Sequence, residues 1–159
     1  MVNLKEKPFY LDNEGIQWVE KTLASMSLEE KVGQLFVQLI TNPSQEAIES
    51  MIQAYHPGGL CLQKSNRETI YQQCKISQET SKIPLLLTTN ADNGGDGCIV
   101  DGTFIATAAE AGAGQDVKTA YDIGYVAGKE SSSVGANWLF NPCADIYMNW
   151  RNTIINTRA

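Results

Sequence analysis

Histidine is nearly absent from this sequence: His56 is the single one among 159 residues. One imidazole excludes a histidine-built metal centre, and no Ser-His-Asp set can be assembled around it. His56 precedes Pro57-Gly58-Gly59 and reads as the end of a helix entering a turn, not as a catalytic group. Basic residues are also few, twelve Lys and Arg against eighteen Asp and Glu, for a formal net charge of −6. Phosphate binding needs a basic surface, so nucleic acid and anionic membrane are excluded as partners. No apolar run approaches the ~18 residues of a membrane span. The N-terminus "MVNLKEKPFYLDNEG" has no apolar h-region, so no signal peptide is visible and a cytoplasmic location is expected. The four cysteines, Cys61, Cys74, Cys98 and Cys143, form no C-x-x-C and read as free thiols in a reducing compartment. No metal or cofactor is expected.

What remains is an ordinary globular composition, 43% hydrophobic and 19% charged, on a chain long enough for one core. Residues 13–25 carry Ile16, Val19 and Leu23 at helical spacing. Ser27-Leu28-Glu29-Glu30 is a capping box opening a short helix. "LFVQLI", 35–40, reads as a first buried strand. After Asn42-Pro43, Ser44 caps a helix through about Tyr55, with Ala47, Ile48, Met51 and Ile52 on one face. "LCLQ" is a second strand, and Asn66 caps a helix through about Ser81 with Ile70, Tyr71, Cys74 and Ser77-Gln78 inward. "IPLLLTT", 83–89, is a third strand, apolar on both faces. A glycine-rich loop, "NADNGGDGCIVDG", and a small-residue segment lead to a helix over about 115–133. Its expected inward stripe is Val117, Ala120, Tyr121, Gly124 and Ala127-Gly128, before a fourth strand in "NWLFNP".

This alternation is α/β and implies parallel strands joined by right-handed crossovers. Two architectures fit: an open doubly wound sheet, or part of a barrel that needs eight strands where about four are present. In both, sites lie at the carboxyl ends of strands. Asn90, Asp92 and Asn93 follow the third strand, and Asp145, Asn149, Arg151, Asn152, Asn156 and Arg158 follow the fourth. An arginine there can grip hydroxyls or a carboxylate with a fixed fork of donors. Sharper readings of the glycine-rich region fail. A calcium loop starting at Asp92 would have Gly94 at its third position and Thr103 where a bidentate glutamate belongs. No G-x-x-x-x-G-K-[ST] is present, and "GAGQDV" at 112–117 is only a fragment of a dinucleotide fingerprint, preceded by an Ala-rich stretch and not by a strand.

Taken together, three stretches resemble the N-terminal barrel domain of glycoside hydrolase family 3. "MSLEEKVGQLF" is similar to that family's opening segment and "IPLLLTTNADNGGDG" to its strand-three motif. "GANWLFNPCADIYMNWRNTIINTR" is similar to its strand-four motif, with Asn137, Pro142, Asp145, Arg151, Asn152, Thr157 and Arg158 in place. The resemblance covers residues 26–159 and implies the N-terminal half of a (β/α)8 TIM-type barrel, preceded by a helical extension over 1–25. It implies a β-glycoside as the partner molecule and retaining hydrolysis of the β-N-acetylhexosaminidase kind. Asp92, Arg158, Asn90 and Asp145 become the substrate-binding candidates, with Asp92 accepting from sugar hydroxyls and Arg158 donating to them. No catalytic residue is assigned: the family's acid/base and nucleophile are expected beyond residue 159, so the chain is expected to be truncated and inactive alone. Asp92 stands where the nearest subgroup pattern, N-x-E-x-G-G-x-G, has glutamate, and no basic residue follows before Lys118. This leaves the sugar open, with β-glucosidase or β-xylosidase specificity as alternatives. A non-enzymatic sugar-binding module and a small nucleotide-binding α/β domain are the competing classes. Self-association through the open half-barrel is expected, because the inner faces of its strands are apolar.

Overall fold

A computed structural model describes residues 2–155 and 158. Helix α1, Asn13–Ser25, is capped by Asp12, whose carboxylate accepts from the Gly15 amide at 2.8 Å. The capping box read at Ser27 forms in full. The Glu30 amide donates to Ser27 Oγ, and the Ser27 amide donates to Glu30 Oε2, at the start of α2, Leu28–Gly33. Strand β1, Val37–Leu39, is followed by α3, Gln45–Tyr55, capped by Ser44. His56 closes α3 in the left-handed region, with φ of 47°, which is the helix-to-turn role expected of it. Strand β2, Gly59–Cys61, leads to α4, Arg67–Thr80, capped by Asn66, and then β3, Leu86–Thr89. A single 3₁₀ turn, Gly95–Gly97, precedes α5, Ala108–Gly114, α6, Val117–Ser133, and β4, Trp138–Leu139.

The four strands pair in parallel in the order β1-β2-β3-β4. Their register puts Leu60 and Leu87 on one face, where they join Leu62, Leu85, Ile48, Ile52, Ile70 and Cys74 in the core between sheet and helices. Val37, Leu39, Cys61, Leu86, Thr88 and Trp138 share the opposite face, on which Thr88 is buried while Val37, Leu39, Leu86 and Trp138 stand exposed. Asn137 fastens the last strand to the third. Its Oδ1 accepts from the Leu87 amide at 2.8 Å and its Nδ2 donates to the Leu85 carbonyl at 3.0 Å.

Several expectations need correction. The first strand is not buried: Leu35 is 83% and Phe36 61% exposed, and within 35–40 only Ile40 is enclosed. It is an edge strand with a bare inner face. The first, third and fourth strands are shorter than the stretches read as strands, at three, four and two residues. The third strand is enclosed on its helix face at Leu85 and Leu87, but Leu86 is exposed. On α4 it is Gln73, not Tyr71, that is buried. On α6 the inward stripe is rotated: Ile123, Ala127 and Ser131 are buried, while Val117, Tyr121 and Tyr125 face out. Helix α5 was not expected at all, although Thr107-Ala108-Ala109-Glu110 forms a second capping box.

Candidate functional site

The carboxyl ends of β3 and β4 bring together the two residues most heavily weighted by sequence. Arg158 donates from Nε at 3.1 Å and from Nη2 at 2.9 Å, both to Asp92 Oδ2. The pair is separated by 66 residues and is part-buried. Asp92 Oδ1 is buried and has no hydrogen-bond partner among the described residues. A buried carboxylate oxygen without a donor is costly. The guanidinium has five N–H groups and commits two of them here, leaving donors beside the same carboxylate. An acceptor and donors side by side match a hydroxyl, which both donates and accepts.

The loop that carries Asp92 is tightly shaped. The Ile105 amide donates to the Asn93 carbonyl at 2.9 Å, and Gly94 bridges Phe104 antiparallel. Gly94 has φ of 132°, and a Cβ there would strike the Thr103 carbonyl, so the turn requires glycine. On its other flank the loop is tied to the turn before α4, where the Val100 amide donates to the Ser65 carbonyl at 2.9 Å. Lys64 lies 3.6 Å from Asp96.

The other two candidates are placed differently. Asn90 follows β3 directly and is exposed, at the expected edge but outside the Asp92–Arg158 pair. Asp145 is also exposed; its Oδ2 accepts from the Cys143 thiol at 3.1 Å, and no described contact links it to the pair. In the fourth-strand cluster, Asn156 and Thr157 lie outside the described residues. Two groups at this edge were not foreseen. Asn141 Oδ1 is buried without a partner among the described residues, and Glu130 on α6 grips the loop at Thr103. Glu130 falls three residues after Ala127, on the buried stripe, so the correct helical phase would have revealed it.

A depression of about 440 Å³ opens beside Asp92, walled by α5 and α6 through Ala108, Ala111, Gln115, Val117, Ala120 and Ile123. A larger one of about 520 Å³ is lined mainly by apolar residues before β1 and β2, including Val32, Phe36 and Pro57. It lies toward the amino ends of the strands, away from the edge where α/β proteins place chemistry. His56 lines that side too, which removes it from the candidate site. Among the described residues no cluster of three or more His, Cys, Asp or Glu is arranged to hold a metal ion, and no helix is long and apolar enough to cross a membrane.

Comparison with known proteins bears on the family and the fold. The family profile described as "Glycosyl hydrolase family 3 N terminal domain" matches residues 27–159. A beta-N-acetylglucosaminidase/beta-glucosidase of Cellulomonas fimi is 34% identical over 162 residues, covering 100% of this chain and 28% of the relative. The structure of a beta-glucoside phosphorylase, BglX, bound to 2FGlc superposes with a TM-score of 0.82 at 34% identity, over 92% of this chain and 27% of that one. An exo-1,3/1,4-beta-glucanase from a Pseudoalteromonas species superposes with a TM-score of 0.67 at 22% identity, over 82% of this chain and 23% of that one, a likeness of fold. The chain thus spans little more than a quarter of the length of the first two relatives.

Proposed function

The chain belongs to glycosyl hydrolase family 3, and from this membership we propose that it supplies the sugar-positioning half of a site that cleaves terminal β-linked glycosides. The observation that carries the proposal is the Asp92–Arg158 pair, which joins the loop after β3 to the segment after β4, with Asp92 Oδ1 unpartnered among the described residues. Asp92 accepts from ring hydroxyls and Arg158 donates to them, with Asn90 and Asp145 at the rim. These contacts fix the ring, and fixed geometry lowers the barrier to a reaction that other groups perform.

The chain alone is inactive in this reading. Retaining cleavage needs two carboxyl groups about 5–5.5 Å apart, one to protonate the leaving oxygen and one to attack the anomeric carbon. The described contacts of Asp92 give it an arginine instead of a second carboxylate. In the complete reaction the attacking carboxylate forms a glycosyl ester, the aglycone leaves as an alcohol, and water releases the sugar. The phosphorylase among the structural relatives favours a second reading of the last step, in which inorganic phosphate takes the glycosyl group and leaves as a sugar 1-phosphate. The relatives named for glucosidase and N-acetylglucosaminidase activity make β-glucosides and β-N-acetylglucosaminides the first substrates to try. A cytoplasmic location and pairing of two copies through the bare sheet face belong to the same proposal.

The test is twofold. Purified chain is mixed with nitrophenyl β-glucoside and nitrophenyl β-N-acetylglucosaminide, and no nitrophenol release is expected. Release that Asp92→Ala abolishes would overturn the claim of inactivity. Calorimetry with the methyl β-glycosides is expected to show binding that Asp92→Ala removes. A non-enzymatic sugar-binding module would instead bind at about micromolar affinity and show no hydrolysis when joined to the remainder of a family-length enzyme.

A further inference from the structure

Glu130 lies on α6, a rod of seventeen residues, and is used by neither the core nor the ion pair. Both of its carboxylate oxygens are spent on one residue of the Asp92 loop. Oε2 accepts from the Thr103 amide at 2.8 Å and Oε1 accepts from the Thr103 hydroxyl at 2.6 Å. Thr103 is the outer arm of a small antiparallel clasp. Its carbonyl accepts from the Asp96 amide at 3.5 Å, its neighbour Phe104 bridges Gly94, and the Ile105 amide donates to the Asn93 carbonyl at 2.9 Å. Asp92 is the residue immediately before that clasp. Gly95 packs so closely on the same carboxylate that a Cβ there would collide with Glu130. The loop is therefore moulded to receive Glu130, and a charged acceptor bonded to a backbone amide is stronger than a neutral one.

We propose that Glu130 is a positioning residue for the sugar site: by holding Thr103 with both oxygens it fixes the clasp that sets Asp92 opposite Arg158. This rests on the reading of Asp92 as the sugar contact, but its first readout does not. The turn before α4 holds the far flank of the loop at Ser65 and Val100, so loss of Glu130 frees the clasp without detaching the whole segment.

The experiment uses the 159-residue chain and compares wild type, Glu130→Ala, Glu130→Gln and Thr103→Val by amide hydrogen exchange, the Arg158 Nε–H signal, and titration with methyl β-glucoside. In Glu130→Ala the amides of Asp96, Thr103 and Ile105 are expected to exchange faster by on the order of tenfold, while Leu62 and Leu87 in the sheet keep their protection. The Arg158 Nε–H signal is expected to shift, and sugar affinity to fall by roughly threefold or more. Glu130→Gln, which keeps one acceptor oxygen, is expected to lie between. Unchanged clasp amides in a folded Glu130→Ala, or unchanged affinity with wild type binding sugar, overturns the inference. Should Glu130→Ala fail to fold, Thr103→Val decides, since it removes only the hydroxyl and is expected to loosen Ile105 and Asp96. If exchange and the Arg158 signal respond as expected but wild type binds no glycoside, the sugar reading falls and the role of Glu130 in setting Asp92 stands.

Discussion

Asp92 and Arg158 are valued for direction rather than for stability. Their side chains remain 22% and 39% exposed, and ion pairs of that kind contribute only about 0–1 kcal/mol. Asp92→Asn is therefore expected to leave thermal stability nearly unchanged, yet to weaken sugar binding by about 1.5–3 kcal/mol, the range for a bond to a charged group. Arg158→Lys keeps the charge but replaces a planar fork with a point charge, and calorimetry is expected to show it weaker than wild type. Cys74 gives a prediction of pH dependence. Burial, with Cys98 nearby as a lesser cause, pushes its thiol up to about 12 from an ordinary 9.0. A raised folded value means that the native state holds its proton where the unfolded chain has lost it. This contribution to stability is complete below pH 9 and is lost as pH rises toward about 12. Denaturant melts of wild type and Cys74→Ala at pH 8 and pH 11 are expected to show the steeper loss in wild type.

The helix starts were the most legible elements, because a cap is local chemistry: Ser27, Ser44 and Asn66 all accept the amide expected of them. Asn66→Ala is expected to cost about 1 kcal/mol in a denaturant melt, with α4 fraying at its first turn. Asn137 was legible only as part of a motif, and the structure gives it a physical task. It makes two part-buried backbone bonds across β3, so Asn137→Ala is expected to destabilise by about 1–3 kcal/mol and to loosen β4 first. The phase of α6 was misread because Val117, Tyr121 and Tyr125 form as regular an apolar stripe as the buried one. In a helix with small residues all round, spacing alone does not say which stripe meets the sheet. The same error hid Glu130. Helix α5 was hidden by its alanines and glycines, which carry no apolar period, although its capping box was written in the sequence. The pairing of Asp92 with Arg158 has no local signal, since it joins two loops 66 residues apart; position after a strand marks each as a candidate, and only the motifs that carry the family likeness single them out from their neighbours.

The whole chain exposes more surface than its mass accounts for. Its accessible area is 10385 Å², against about 7,900 Å² expected for a folded monomer of this size. Leu35, Phe36, Leu39, Leu86, Trp138 and Phe140, on and beside the sheet, are among the large apolar side chains that stand open. Unpaired parallel edges at β1 and β4 add unsatisfied backbone groups. Two copies related by a two-fold axis would align β4 of each with β1 of the other and bury both faces, on the scale of an obligate interface. Light scattering of the 159-residue chain is accordingly expected to give at least twice the monomer mass at low micromolar concentration. A monomer mass with one cooperative melt would remove self-association from the account. The central claim is narrower: the strand ends that hold Asp92 and Arg158 receive a sugar. The most direct measurement is residue-resolved NMR titration of the chain with methyl β-glucoside and methyl β-N-acetylglucosaminide. The account predicts saturable shifts confined to the loop after β3 and to Arg158, absent in Asp92→Ala. Shifts centred on the apolar groove before β1, or identical curves for wild type and Asp92→Ala, would contradict it.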